Sequence, residues 1–182
     1  WKDVNQNGIG DNEDAATQPD VPPTDGDFEV PTETSEVCTA KVEGVNWDAL
    51  LSEDCNLLSS YNLFADSTDP TKSANGNGIA YDMAVPLFTD YATKYRYIFT
   101  KDGQKATYNE NEILNFPVGT VLVKTFTMPK DTANRDGEEL LIETRLLIHR
   151  ESGWKALPYF WAPESTNSQD AYKTTKSQKV DV

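Results

Sequence analysis

Four runs in the second half of the chain limit its fold more than anything else does. Residues 94–100 (K-Y-R-Y-I-F-T), 120–128 (T-V-L-V-K-T-F-T-M), 140–150 (L-L-I-E-T-R-L-L-I-H-R) and 154–161 (W-K-A-L-P-Y-F-W) are rich in β-branched and aromatic residues. Turn formers bound them at Asp102-Gly103, Pro117-Val118-Gly119, Arg135-Asp136-Gly137 and Ser152-Gly153. Side chains that are stiff at χ1 or large and flat suit a pleated surface, and short strands with tight turns favour antiparallel pairing over βαβ crossovers. The expected fold is therefore mainly β: an antiparallel β-sandwich or partly open barrel with short helical turns. Residues 47–51 and 57–64 supply those turns, and Tyr95, Tyr97 and Phe99 alternate as a core stripe would. Pro158 lacks a backbone donor, so its strand is expected at an edge or a bulge.

The N-terminus carries a different signal. Residues 3–14 read D-V-N-Q-N-G-I-G-D-N-E-D, with side-chain oxygens at loop positions one, three, five, nine and twelve and Gly8 at position six. A hard cation such as Ca2+ takes six to eight oxygens, and this spacing offers them around a sharp turn. The expected ligands are Asp3, Asn5, Asn7, the Ile9 carbonyl, Asp11 (directly or through water) and Asp14. The bland alternative is an Asn-Gly turn in a polar tail. A-A-T-Q-P-D-V-P-P follows at once in place of an amphipathic helix, and position twelve is Asp instead of Glu. The dodecamer instead resembles a thrombospondin type 3 calcium repeat, which implies a bound Ca2+ and a surface protein.

Charge sorts the chain into segments. Residues 1–37 hold ten acids against Lys2 alone, −9 of the total of −14. Such a tail repels phosphate backbones, so nucleic acid is not an expected partner. The expected organisation is a calcium repeat over 1–14, an acidic Pro/Thr-rich linker over 15–37, a β-rich domain over 38–171 and a polar tail over 172–182. No apolar run approaches the ~20 residues of a membrane helix. With no initiator Met and no signal peptide in view, the chain reads as a processed or excised piece.

Cys38 and Cys55 are the only cysteines. An even count beside an extracellular-type calcium motif favours a disulfide over two reduced thiols or a metal pair, since the sole histidine, His149, lies far away in sequence. The joint expectation is an extracellular or outer-cell-surface protein.

Motifs for catalysis are scarce. No G-x-S-x-G, phosphate loop, H-E-x-x-H or C-x-x-C-H occurs, and His149 sits in a strand-like run without a nucleophile motif beside it. Lys124, Glu143 and Arg145 interrupt otherwise apolar strands. Glu143 and Arg145, two apart, share a face, and Lys124 is placed to meet Glu143 if their strands pair. These residues form either a solvated ion-pair group or a charged border to a ligand cleft. Tyr91, Tyr95, Tyr97, Trp154, Tyr159 and Trp161 are a second candidate surface, suited to stacking on sugars or simply to filling a core.

From Gly78 the motif order G-I-A-Y-D-M-A-V-P-L-F-T-D-Y-A, D-G-Q-K-A-T, F-P-V-G-T-V-L-V-K-T-F, L-I-E-T-R-L-L-I, G-W-K-A-L-P-Y-F-W and Q-D-A resembles a conserved domain of uncharacterised bacterial secreted proteins, as does L-L-S-S-Y-N-L-F at 57–64. The resemblance implies a secreted domain, often followed by a c-type haem segment, with no catalytic role attached to Lys124, Glu143 or Arg145. The combined expectation is a non-catalytic, calcium-binding structural or interaction module whose partners are other surface or extracellular proteins, or further copies of itself. The rival expectations are an accessory domain of an extracellular electron-transfer or sugar-oxidising protein, and a carbohydrate-active enzyme using Lys124, Glu143 and Arg145.

Overall fold

The computed structural model describes residues 31–89, 91–161 and 170–173. The calcium-repeat residues Asp3, Asn5, Asn7, Ile9, Asp11 and Asp14 lie outside them. The fold is mainly β. Six strands, β1 (Ile79–Ala80), β2 (Thr93–Phe99), β3 (Val121–Pro129), β4 (Glu139–Arg150), β5 (Gly153–Trp161) and β6 (Ala171–Lys173), form one sheet. Every pairing is antiparallel, and the order across the sheet is the order along the chain. The sheet is an open meander, not a closed barrel. Its cover, among the described residues, is a layer of helical turns where a sandwich would have a second sheet.

That layer comes from the segment before β1: helix α1 (Glu36–Thr39), helix α2 (Trp47–Ser52) and a 3-10 turn (Leu58–Tyr61). Each is too short to be stable alone, so packing and cross-links must hold it. Cys38 and Cys55 form the expected disulfide, with their Cα atoms 5.7 Å apart. Asn46 caps α2 by accepting from the Ala49 N–H at 3.2 Å, while its amide donates to the Val37 and Ser60 carbonyls, both at 2.9 Å. One buried side chain thus joins three segments, and burying its amide costs little because every polar atom is paired.

Alternation on the strands decides what faces this layer. Tyr97 and Phe99, Val121 and Val123, Leu146 and Ile148, and Leu157, Tyr159 and Trp161 are buried against Cys55, Leu58, Tyr61 and Leu63. Tyr61 and Tyr159 meet edge-to-face, with ring centroids 6.1 Å apart. The Tyr159 hydroxyl donates to the Cys55 carbonyl at 2.8 Å, and the Tyr61 hydroxyl accepts the Cys55 N–H at 2.9 Å. Burial and the neighbouring Tyr61 raise the Tyr159 phenol far above its ordinary range, so it stays a neutral donor. Gly78 is obligatory for a spatial reason: any side chain there would collide with Ala74 and the Phe99 ring.

Two local features bear on the sequence expectation, the first by departing from it and the second by meeting it. Residues 31–37, expected in the linker, contact the domain: the Thr32 carbonyl accepts from Asn56, and Glu33 accepts from the Leu57 N–H at 2.6 Å. Pro158 pairs with Arg145 on one side and lies just before the stretch of β5 that β6 covers, residues 159–161. Its missing donor falls where β5 is still a border.

Candidate binding face of the sheet

The face of the sheet turned away from the helical layer carries the charged strand residues. On β2 these are Lys94 and Arg96, the alternates of the core stripe Tyr95, Tyr97 and Phe99. On β3 they are Lys124 with Phe126, and on β4 Glu143 with Arg145. Registers bring three cations into one row: Arg96 lies opposite Lys124, and Lys124 lies opposite Arg145. Glu143 faces Phe126. The expected cross-strand meeting of Lys124 and Glu143 therefore does not occur as an ion pair; the two are only diagonal neighbours.

A β-bulge sets this arrangement. From the hairpin, Pro129, Met128 and Thr127 pair with Glu139, Leu140 and Leu141, but Phe126 pairs with Glu143, so Ile142 is skipped. Without that extra residue every β4 side chain beyond it would point to the other face. The bulge thus places Glu143 and Arg145 beside Phe126 and Lys124 and sends Thr144, Leu146 and Ile148 into the core.

The charges on this face are unequally partnered. Arg145 makes a two-pronged contact with Glu143, Nε to Oε1 and Nη2 to Oε2, each at 2.8 Å. That fork raises the already high Arg145 pKa. Arg96 is buried at its head and reaches the exposed Asp82 at 3.2 Å. Lys124 contacts no carboxylate among the described residues; its ammonium lies 4.6 Å from the centre of the Phe126 ring, and the Arg145 guanidinium caps the same ring at 4.9 Å. Burial lowers the Lys124 pKa, and Arg96, Lys94 and Arg145 push it down further. Lys94 donates to the Leu87 carbonyl, tying the 81–92 loop to the border of the face.

Farther along the same face, His149 and Trp154 pair across β4 and β5 and stack, centroids 4.5 Å apart and planes within 11°. Nδ1 of His149 is 2.9 Å from the Phe116 carbonyl, which fixes the ring as a support for the indole. Trp154 is 44% exposed, and Leu147 and Ala156 form an exposed floor between it and the cation row.

The remaining aromatic candidates scatter. Tyr97, Tyr159 and Trp161 are core residues, Tyr95 lies on the inner face, and Tyr91 stands in a loop under the Arg135 guanidinium at 3.8 Å. Tyr95 lines a second, polar cleft of about 800 Å³, which also holds Asp69, Lys72, Lys130, Arg135 and Glu139. There Glu139 accepts from the Tyr95 and Thr127 hydroxyls, both at 2.8 Å, and burial with the adjacent Glu139 pushes the Tyr95 phenol up to about 12. Lys72 pairs with Asp69 at 2.9 Å and Lys130 with Glu138 at 3.3 Å. The cleft's charges largely satisfy one another. Glu33 lies beside Cys38 and Cys55, but the sulfurs are bonded to each other, so the trio has no thiolate to offer a metal.

Arg96 and Phe126 escaped the sequence reading. The signal for Arg96 was the alternation in K-Y-R-Y-I-F, since a core stripe at Tyr95, Tyr97 and Phe99 requires Lys94 and Arg96 to share the opposite face; that for Phe126 was its spacing two residues from Lys124 on one strand. Among the described residues, no helix is long and apolar enough to cross a membrane. Comparison of the chain with protein-family models, curated proteins and solved structures found no match.

Proposed function

We propose that the chain is a non-catalytic, calcium-binding interaction module of the extracellular space or outer cell surface. The observation that carries this reading is the one-sided construction of the sheet. One face is closed by a disulfide-pinned layer, and the other is left open, among the described residues, with ordered cationic and aromatic side chains. Contact from that face needs no chemistry; it needs only side chains held in place, which the rigid strands provide. Glu143 is occupied as the anchor of Arg145, a positioning task that competes with service as a general acid or base. Calcium enters through residues 3–14, whose donor set of carboxylates, side-chain amides and one carbonyl suits a hard cation.

Two measurements test the reading. A screen of the wild type beside Glu143→Gln against polysaccharides, esters and redox dyes is expected to show no turnover by either. Wild-type turnover that vanishes in a folded Glu143→Gln protein would overturn it. Calorimetry is expected to give calcium binding with Kd of about 10⁻⁴ to 10⁻³ M, as in weak extracellular sites, and no binding heat for Asp3→Ala. Equal heats in the two proteins would remove the ion from the proposal.

A further inference from the structure

We propose that the open face binds an acidic polysaccharide, with carboxylates or sulfates on Lys124 and Arg145, beside the buried Arg96, and a sugar ring on Trp154. This rests on the module reading above and names its ligand. The face opposes the rest of the molecule electrostatically. Its strands present Lys94, Arg96, Lys124 and Arg145 against Glu143 alone, in a chain whose net charge is −14. Among the described residues Asp82 is the only other carboxylate that reaches in, and it is 92% exposed on a loop.

The row is unfinished as it stands. Three cations at consecutive registers stand about 4.8 Å from strand to strand, so their heads repel one another at close range. Arg145 has Glu143 and Arg96 has Asp82, but Lys124, in the centre, has among the described residues no carboxylate and lies over the face of Phe126. An oxyanion over Lys124 would complete the row. Burial chiefly depresses the Lys124 pKa and the same crowding adds to it; a bound anion would oppose both.

Geometry favours a glycan among polyanions. From Arg145 to His149 is four residues along one strand, roughly 14 Å, and the floor between is the apolar pair Leu147 and Ala156. An extended chain of flat, partly apolar rings bearing spaced anions spans such a path, with its last ring on the braced indole. A nucleic acid would carry its phosphates past the row into a strongly acidic molecule, where repulsion grows with length. An acidic peptide offers anions but no regular flat ring for Trp154.

The test is titration of the full chain with polygalacturonate oligomers in EDTA, which removes any bridging through calcium, with neutral dextran as control. The wild type is expected to bind the polyuronate and not dextran, with affinity falling severalfold between 50 and 200 mM salt as screening rises. Lys124→Gln breaks no ion pair within the fold and is expected to weaken binding roughly tenfold, the worth of one charge-assisted contact. Trp154→Ala is expected to weaken it by a similar factor without changing the salt slope. Unaltered melting of both variants would assign the losses to contact. No wild-type binding, or binding indifferent to both substitutions, overturns the proposal. So does preference for anionic-lipid vesicles or single-stranded DNA over polyuronate at equal charge. Failure here with a silent turnover screen would leave the module without this ligand, whereas turnover of the polyuronate would overturn the module reading itself.

Discussion

Arg150 is the residue that joins the two layers. Its guanidinium donates to the Leu50 carbonyl at 2.8 Å, to the Glu53 carbonyl at 2.6 Å and to Asp54 Oδ1 at 2.7 Å. Lys155 holds the other Asp54 oxygen at 2.9 Å. Truncating Arg150 to Ala would remove a donor from the Leu50 carbonyl, leave the Glu53 carbonyl with the Tyr61 hydroxyl alone, and leave Asp54 with Lys155 alone. It is expected to cost about 2–3 kcal/mol, measured by urea unfolding, less than a fully buried pair because Asp54 is a third exposed. Burial alone would raise the Asp54 pKa, but hydrogen bonds from Lys155 and Arg150 bring it below its ordinary 3.8. The folded carboxyl therefore holds its proton less tightly than the unfolded one. Its contribution is complete above about pH 3.8 and is lost as pH falls through the lower folded value. The stability gap between wild type and Asp54→Asn should accordingly narrow from pH 5 to pH 2.5; a constant gap would show that the ion pairs are not its source. Asp170, whose pKa burial raises, runs in the opposite sense, which is why the comparison uses the Asp54 variant in place of the raw pH curve.

At the scale of elements, the disulfide loop is the part that cannot fold unaided. Cys38 and Cys55 are 17 residues apart, and closing a loop of that length contributes about 3 kcal/mol in the chain-entropy picture. Reduction is expected to lower the melting temperature by roughly 10 °C. A negligible shift would mean that Asn46 and Arg150 hold the layer without the covalent link. The four long strands were legible in the sequence to within a residue or so, because β-branched and aromatic runs between Gly turns admit little else. So were the helical turns, the cystine and the border position of Pro158. Strands β1 and β6 were not, since two or three residues carry no period. The register was hidden for another reason. The bulge at Ile142 depends on how β3 and β4 pack over the core, and nothing local in L-L-I-E-T-R announces it. Lys124 was expected to meet Glu143; an unbroken register from Thr127 and Leu141 would have set it against Thr144, and the skipped Ile142 gives it Arg145. The candidate site inherited this limit: its charges were visible, but not their order.

For the whole molecule, the first contacts among the described residues are those of Thr32 and Glu33, whose carbonyl and carboxylate meet the residues around the 3-10 turn, and Val37 packs against the core. Removing residues 1–30 is expected to leave the melting temperature within a few degrees, since that segment is poor in apolar residues. Removing 1–37 should lower it further, because it strips Leu57 of its carboxylate partner and Asn46 of the Val37 carbonyl. Equal melting of the two truncated chains would show that the Thr32–Val37 contacts contribute nothing.

The blunt margins of the sheet carry one more consequence. Among the described residues β1 is two residues long and β6 three, so the outermost strands offer only short rails of free N–H and C=O groups, and the stretch of β5 that β6 leaves uncovered, residues 153–158, ends in Pro158, which has no N–H to donate. Beside β1, β2 brings Lys94 and Arg96 to the margin, where like charges on a second copy would meet them. Two such molecules have little on which to zip strand against strand. A sheet with one open face is normally at risk of growing sideways into a fibril when copies are crowded; here the margins resist that growth while the face stays available. Crowded copies of the chain can therefore remain separate particles.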